Sequence, residues 1–236
     1  NFKIIEIPKF LPHDLLRKYK KELLLGFDPK LFTNNSLKRS FKDSCNLLPI
    51  NQNLIDLIDA KKIYDHRKES FYILDDKVVG ESVNSKINKL ILNLKKNKID
   101  NIFISAPENV AWLLNLRGKD NPYSPIPNCQ IILTKNKKIY FFSLKNKIVK
   151  IKNQYPYKNF NFSDFNEFSS LINELTGKYF SIDSSTCSVF NESIIKSKFN
   201  CKSSVDPCYK MKAIKNQTEI KNMVKTHIYD GAALTK

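Results

Sequence analysis

Four polar residues that could bind a peptide group follow an apolar stretch near the middle of the chain: Asn115, Arg117, Asp120 and Tyr123. Arg117 is the most informative of them, because its planar guanidinium can hold a carboxylate or a backbone carbonyl through two parallel N–H donors. We therefore take the four residues as candidates for a binding site. The alternative, in which Arg117 pairs with Asp120 or caps a helix C-terminus, is the commoner role of an arginine and stays open.

The residues before this group are expected to form a short buried helix. Pro107 suits the first helical position, where its missing N–H costs nothing. The apolar body comprises Val110, Ala111, Trp112, Leu113 and Leu114. We expect the helix to end beside Arg117, with Gly118 in the left-handed conformation that often follows a helix. Pro122, Pro125 and Pro127 then stiffen the loop, so the candidate residues are predicted on a rigid support.

No residue is assigned a catalytic or metal-binding role. The three histidines (His13, His66 and His227) and the five cysteines do not stand at the spacing of zinc ligands. Asp28 and Asp56 are interpreted as turn and cap residues rather than as paired catalytic carboxylates. The odd number of cysteines, without a C-x-x-C pair, is typical of reduced thiols in the cytosol.

The charge of the chain leaves two interpretations. A formal net charge of +17 would suit a polyanion partner, whose binding would weaken steeply with salt. The lysines are spread over predicted helix faces and turns, however, and no arginine-rich block is interleaved with aromatic residues. We therefore predict no nucleic-acid partner. The absence of an apolar run of ~18 residues also predicts no membrane span.

The central run resembles a known family signature. Residues 111–125 match Ala-Trp-Leu-Leu-Asn-Leu-Arg-Gly-x-Asp-x-x-Tyr-x-Pro of the long-form Xaa-Pro aminopeptidases, which are creatinase/prolidase-like metallopeptidases of the pita-bread fold. A Gly-Phe-Asp-Pro turn at 26–29 and Asn-Leu-Ile-Asp at 53–56 also fit that family. Asp59 departs from it, since tryptophan is common there. Near the end, residues 227–232 (His-Ile-Tyr-Asp-Gly-Ala) resemble the first helix of the family's catalytic domain.

The resemblance implies a peptidase that removes an N-terminal residue preceding proline. In that family the second domain and the neighbouring subunit's first domain form the wall of the active-site cleft, so the resemblance makes Asn115, Arg117, Asp120 and Tyr123 candidates for the substrate cleft or an interface. It implies two divalent metal ions, expected to be Mn²⁺, held by two Asp, one His and two Glu that would follow residue 236. The chain is therefore expected to be an inactive N-terminal fragment that binds no metal, with His227 and Asp230 structural. The full-length enzyme is expected to be a cytoplasmic homodimer. The alternative is a relative without metal ligands that serves as a protein-interaction module.

The same resemblance and the periodicity together predict an α/β fold. We expect two creatinase N-terminal-like domains with mixed sheets flanked by helices, followed by the first helix of a truncated catalytic domain. The predicted bounds are 1–76 for the C-terminal part of the first domain, 77–206 for the second domain and 207–236 for the start of the catalytic domain. The connection of the first two domains is expected within residues 59–80.

Local patterns predict the individual elements. In the first domain we expect strands at 3–7, 23–25 and 46–50, and helices at 14–22, after Thr33 and at 53–58. Val83, Ile87, Leu90, Ile91 and Leu94 form the apolar stripe of one helix of the second domain. Further strands are predicted at 102–104, 129–134, 138–144, 148–151 and 179–183. Further helices are predicted after a Ser163 cap with Gly177 closing it, at 184–198, and after Asn216, whose partner Glu219 would complete a capping box.

Overall fold

The computed structural model describes residues 4, 6, 9–19, 22–58, 70–152 and 159–236. The chain divides into two compact units, of which the first comprises Asn1–Ile63 and Ser184–Ser197 and the second Tyr64–Asp183 and Lys198–Lys236. The domain bounds expected after residues 76 and 206 stay predictions. Within the described ranges, no helix is both long and apolar enough to cross a membrane.

The described helices and strands are interspersed along the chain. In chain order they are α1 Pro12–Leu16, β1 Leu24–Phe27, α2 Asn34–Phe41, β2 Asn46–Pro49, α3 Leu54–Ile58, β3 Tyr72–Ile73, α4 Asp76–Val79, α5 Val83–Lys96, β4 Asn101–Ile104, α6 Pro107–Leu113, β5 Leu116–Arg117, β6 Gln130–Thr134, β7 Ile139–Ser143, α7 Lys145–Lys152, β8 Phe160–Asp164, α8 Phe168–Glu174, β9 Tyr179–Ile182, α9 Val189–Lys196, β10 Asn200–Ser203, α10 Pro207–Ala213 and α11 Gln217–Leu234.

In the first unit, β1 and β2 form a parallel pair. The helix predicted after Thr33 is confirmed as α2, and the Thr33 hydroxyl accepts a hydrogen bond from the Ser36 amide at 3.1 Å. The helix predicted over 14–22 is wrong in its bounds, because α1 ends at Leu16. The last carbonyls of α1 accept hydrogen bonds from amides three residues later, as in a tight turn. The predicted strand at 3–7 lies mostly outside the described residues.

The second unit contains a six-stranded mixed sheet in the order β10-β9-β4-β6-β7-β8. β9 pairs in parallel with both β10 and β4, β6 is antiparallel to its two neighbours, and β7 pairs in parallel with β8. The predicted hairpin is therefore confirmed as β6 and β7. The mixed α/β sheet that the fold class requires is also confirmed.

Helices pack on both faces of this sheet because side chains of a strand alternate between faces. Ile102 and Ile104 of β4 belong to the buried cluster that contains the apolar stripe of α5. Phe103, between them, packs on Phe168 of α8 with ring centroids 5.0 Å apart. All five residues of the predicted α5 stripe are buried, so that prediction is confirmed.

Two predicted elements around the β7–β8 edge are wrong. Residues 148–151, predicted as a strand, lie in helix α7, where Ile148 and Ile151 are buried and Val149 between them is exposed. A short, mostly apolar run fits the period of a strand as well as that of a helix, and here tertiary packing favours the helix. The strand β8 was missed, and Asp164 rather than Ser163 caps the short 3₁₀ turn that leads into α8.

Three further boundaries differ from the predictions. The helix expected over 184–198 is shorter, because α9 begins only after Ser188, whose hydroxyl accepts from the Asn191 amide at 3.2 Å. Residues 70–80, predicted to lack periodic structure, contain β3 and α4. The capping box predicted at Asn216 and Glu219 is confirmed, and α11 ends at Leu234 with Thr235 as its C-cap, before the last residue of the chain.

Candidate functional site

The turn after α6 is built differently from the prediction. The helix ends at Leu113, and Asn115 rather than Gly118 takes the left-handed conformation, with φ of 52°. Asparagine tolerates this conformation better than most residues with a side chain, because its short amide can bond locally. Arg117 consequently lies not at the helix end but in the two-residue strand β5, which is antiparallel to β3.

The side chain of Asn115 is buried and fully engaged. Its Oδ1 accepts a hydrogen bond from Lys86 Nζ at 2.6 Å. Its Nδ2 donates to Asp76 Oδ1 at 3.2 Å and to the Glu81 carbonyl at 3.1 Å. Asn115 therefore joins α4, α5 and the end of α6, which makes it a positioning residue.

Lys86 is the second member of this network, and it is only 2% exposed. Its Nζ also donates to the Trp112 carbonyl at 2.8 Å and lies 4.4 Å from the centroid of the indole ring. Burial lowers the pKa of Lys86 to about 8, while the carboxylates of Glu81 and Glu219 act in the opposite direction. A cation over an indole face is favourable, which helps to retain the charge in this position.

Arg117 uses one of its nitrogens to close the turn. Nη1 donates to the Ala111 carbonyl at 3.0 Å and to the Leu116 carbonyl at 2.8 Å. Ala111 lies in the last turn of α6, so this contact is one of the two structural roles anticipated for the arginine. The other role is wrong, since Asp120 pairs with Lys147 instead. Burial lowers the pKa of Arg117, whose side chain forms no ion pair within the described part of the chain.

Asp120 secures the far end of the loop. Its Oδ2 accepts from the Asn128 amide at 2.8 Å, and its carboxylate pairs with the buried ammonium of Lys147. Gly118 allows the loop to close, because a Cβ at this position would lie 2.9 Å from Pro127 Cα. Asp120 is therefore also a positioning residue.

Tyr123 is fully exposed at the tip of the same loop. The four residues predicted from the sequence are thus only partly brought together. Asn115 and Arg117 share one cleft, Asp120 fastens the base of the loop, and Tyr123 faces solvent.

The cleft has a volume of about 380 Å³ and lies wholly within the second unit. Lys86, Trp112, Asn115 and Arg117 line it together with residues of α4 and α11. Lys86 is not identified in the sequence analysis, although the sequence contains a signal for it. It falls three residues after Val83 and four before Leu90, which places a lysine on the apolar stripe of α5.

The residues present do not fit a metal centre. Within the described ranges, no group of three His, Cys, Asp or Glu side chains is placed to hold a metal ion. His227 and Asp230 lie on the exposed helix α11. The side chains of Lys86, Trp112 and Arg117 bring hydrogen-bond donors to the lining of the cleft.

The sequence profile of the Creatinase/Prolidase N-terminal domain matches residues 65–219. This range includes the loop of residues 115–128, called the central loop below, and most but not all of the residues that line the cleft. The chain belongs to this family. Its curated relatives include Xaa-Pro aminopeptidase 1 of Dictyostelium discoideum, 31% identical over 234 residues that cover 93% of this chain and 37% of the relative. A probable Xaa-Pro aminopeptidase P of Neosartorya fischeri is 31% identical over 227 residues, covering 89% of this chain and 34% of the relative.

The fold agrees with that of a solved structure. The X-prolyl aminopeptidase of Caenorhabditis elegans, described as a cytosolic enzyme with a di-nuclear active site, superposes with a TM-score of 0.81 and 25% identity. The match covers 97% of this chain and 39% of that protein. The chain thus spans little more than a third of the length of the relatives and of this structural neighbour.

Proposed function

We propose that these 236 residues are the N-terminal part of a metal-dependent Xaa-Pro aminopeptidase, which hydrolyses the bond between an N-terminal residue and proline in a peptide. The observation that carries this proposal is the similarity to Xaa-Pro aminopeptidase 1, at 31% identity over 93% of the chain. The uninterrupted signature around Arg117 supports it. We further propose a cytoplasmic location and a homodimer for the longer protein.

The catalytic centre lies outside this chain in our proposal. The C. elegans neighbour has a di-nuclear active site, which is consistent with two divalent ions, proposed to be Mn²⁺, in the longer protein. Such ions supply an activated hydroxide and polarise a carbonyl. The described residues do not form a ligand set, and we assign no reaction step to them.

The contribution of this part is recognition by a rigid wall. Arg117 is the one candidate residue that lines the cleft and retains donors beyond its structural contacts. Asn115 and Asp120 hold the turn and the loop in place around it, and Tyr123 presents an exposed ring at the loop tip. Enzymes gain from such pre-organised positioning, since a misplaced wall costs binding and rate.

The proposal is tested by assaying release of the N-terminal residue from a peptide with proline at the second position, with and without Mn²⁺. The 236-residue chain is expected to show no release. The longer protein is expected to show release that chelation abolishes and Mn²⁺ restores. Turnover by the short chain would overturn the placement of the catalytic centre. A folded longer protein without any turnover would favour the non-catalytic interaction module.

A further inference from the structure

Two side chains that line the cleft carry hydrogen-bond donors without an acceptor among the described residues. The Nε1 atom of Trp112 is buried and has no partner among the residues that the structure describes. An unpaired buried N–H is rare in folded proteins, because it has lost water without gaining a bond. Trp112 is one of the residues that line the cleft, so this unpaired donor belongs to a side chain of the cleft wall.

Arg117 adds a pair of donors on the same cleft. Its Nη1 is engaged with the two backbone carbonyls described above. Its Nε and Nη2, which form the other edge of the guanidinium, donate to no acceptor within the described ranges. These two N–H groups are parallel and match the two oxygens of a carboxylate. Burial without a carboxylate partner also lowers the pKa of this arginine, so an incoming anion would restore a favourable environment.

The charges of the cleft favour an anion as well. Lys86, Arg117 and Lys215 line it, and among the described lining residues Glu219 is the one acidic side chain. One oxygen of Glu219 already accepts from the Asn216 amide at 2.9 Å, as part of the α11 capping box. His227 lines the same cleft and adds a further possible donor.

The apolar walls narrow the class of anion. Leu74, Val78, Val79 and Met223 line the cleft beside the cationic groups. A bare phosphate would leave these walls uncovered, whereas a carboxylate with an aliphatic substituent would bury apolar surface and satisfy the donors together. The volume of about 380 Å³ is within the range of small-ligand sites.

We propose that this cleft binds a small aliphatic carboxylate, held by Arg117 Nε and Nη2 and by Trp112 Nε1. The carboxylate belongs either to a free small acid or to the C-terminal residue of a short peptide. This inference rests on the proposed recognition role of the cleft and deepens it by naming the class of ligand. Its test measures binding without a metal ion or turnover, so its failure is distinguishable from failure of the proposed peptidase activity.

The test uses the fluorescence of Trp112, which is the only tryptophan in the chain. The probes are N-acetyl-leucine, an N-acetylated tripeptide that ends in leucine, the amides of both, and inorganic phosphate. A saturable emission shift is expected with the two carboxylates and not with their amides or with phosphate. Tighter binding of the tripeptide would indicate a peptide C-terminus as the source, and equal binding a free acid; both outcomes support the site.

Arg117→Lys is the decisive variant, because lysine keeps the charge and loses the paired donors. Its dissociation constant for N-acetyl-leucine is expected to rise by about tenfold or more, as loss of charge-assisted bonds implies. Arg39→Lys, at an exposed position of α2, is the matched control and is expected to bind like the unmodified chain. Circular dichroism checks that both variants are folded.

Trp112→Phe provides a second variant in case Arg117→Lys does not fold. It removes the indole donor, and its weaker binding is measured by titration calorimetry. The proposal is overturned if carboxylate and amide bind alike, if phosphate binds as well as N-acetyl-leucine, or if Arg39→Lys weakens binding as much as Arg117→Lys. An emission shift that sodium chloride reproduces at the same ionic strength would overturn it too.

Discussion

The two ends of the central loop are each held by a buried lysine, but the lysines have different partners. At the first end, Lys86 donates to the neutral oxygens of Asn115 and Trp112. At the second end, Lys147 pairs with the carboxylate of Asp120. Both ammonium groups also lie over an aromatic ring, at 4.4 Å from that of Trp112 and 5.2 Å from that of Phe71.

The difference shows that a buried ammonium group can stabilise a turn with or without a carboxylate partner. A carboxylate compensates the lost hydration directly, so removal of the carboxylate is costly. Neutral oxygens compensate less, and the charge of Lys86 itself then opposes burial, which is why its pKa falls to about 8. The second end should therefore be the more sensitive to a single substitution.

The largest effect is expected for Asp120→Ala. The substitution leaves the ammonium of Lys147, whose side chain is 2% exposed, without this carboxylate and also removes the acceptor of the Asn128 amide. Breaking a buried pair from one side costs about 3 to 5 kcal/mol. Urea unfolding should show this loss, and Asp230→Ala on the exposed face of α11 should change the free energy of unfolding by less than about 0.5 kcal/mol. Equal effects of the two variants would contradict the comparison.

Asn115→Ala should follow, with a loss of about 2 to 4 kcal/mol from three hydrogen bonds and a left-handed backbone. Asn115→Gly separates the two causes, because glycine adopts a φ of 52° without the steric cost of a Cβ. We expect the glycine variant to unfold at a urea concentration between those of the alanine variant and the unmodified chain. If both variants are equally unstable, the backbone conformation is not a determinant of this turn.

Lys86→Met should have a smaller effect, about 1 to 2 kcal/mol near neutral pH. The variant leaves the oxygens of Asn115 and Trp112 without a donor, but it also removes the cost of burying an ammonium among neutral partners. Thermal or urea unfolding measures the change, with the exposed Lys95→Met on the same helix as control. A loss as large as that of Asp120→Ala would show that the neutral partners compensate the charge fully.

The pH dependence distinguishes the two ends further. The pKa of Lys86 is about 8 in the folded chain and ~10.4 when unfolded, so between these values the unfolded chain binds the additional proton. Stability contributed by this group therefore rises with pH across that window. The buried thiols of Cys129 and Cys208 have raised pKa values and act in the opposite direction. The difference between the unmodified chain and Lys86→Met removes their contribution, and a flat difference from pH 8 to 10 would contradict the assignment.

The smallest effect is expected for Tyr123→Ala, at the tip of the central loop between the two ends that the buried lysines stabilise. The Tyr123 ring is fully exposed, so its removal should leave the unfolding transition unchanged. Overlaid urea curves would confirm this expectation. A clear shift would mean that the loop tip packs against the protein in solution.

Patterns within a few residues predicted much of the scaffold. The apolar stripe of α5, the Thr33 and Asn216 caps and the β6–β7 hairpin are all confirmed. Each depends on periodicity or on a cap whose partner lies three residues away. The same approach failed at residues 148–151, where the short apolar run suits either a strand or a helix.

The candidate site was predicted less completely, since its bonds join distant positions. Arg117 and Asn115 were identified because the paired donors of a guanidinium and a side-chain amide suit peptide recognition. Both residues line the cleft. Lys86 was not, because its partner Asn115 lies 29 positions away. The left-handed residue was placed at Gly118 on propensity, whereas the bonds to Lys86, Asp76 and Glu81 stabilise it at Asn115.

The sequence by itself determined the α/β class, the boundaries of the strongly capped helices and the family, because these follow from local energetics and from a long unbroken motif. Tertiary structure alone decided which lysines are buried, which residue of the central turn is left-handed and which donors of Arg117 remain available. The physical reason is that burial and hydrogen-bond satisfaction depend on every group within a few ångströms, and in this cleft those groups come from four separate segments of the chain.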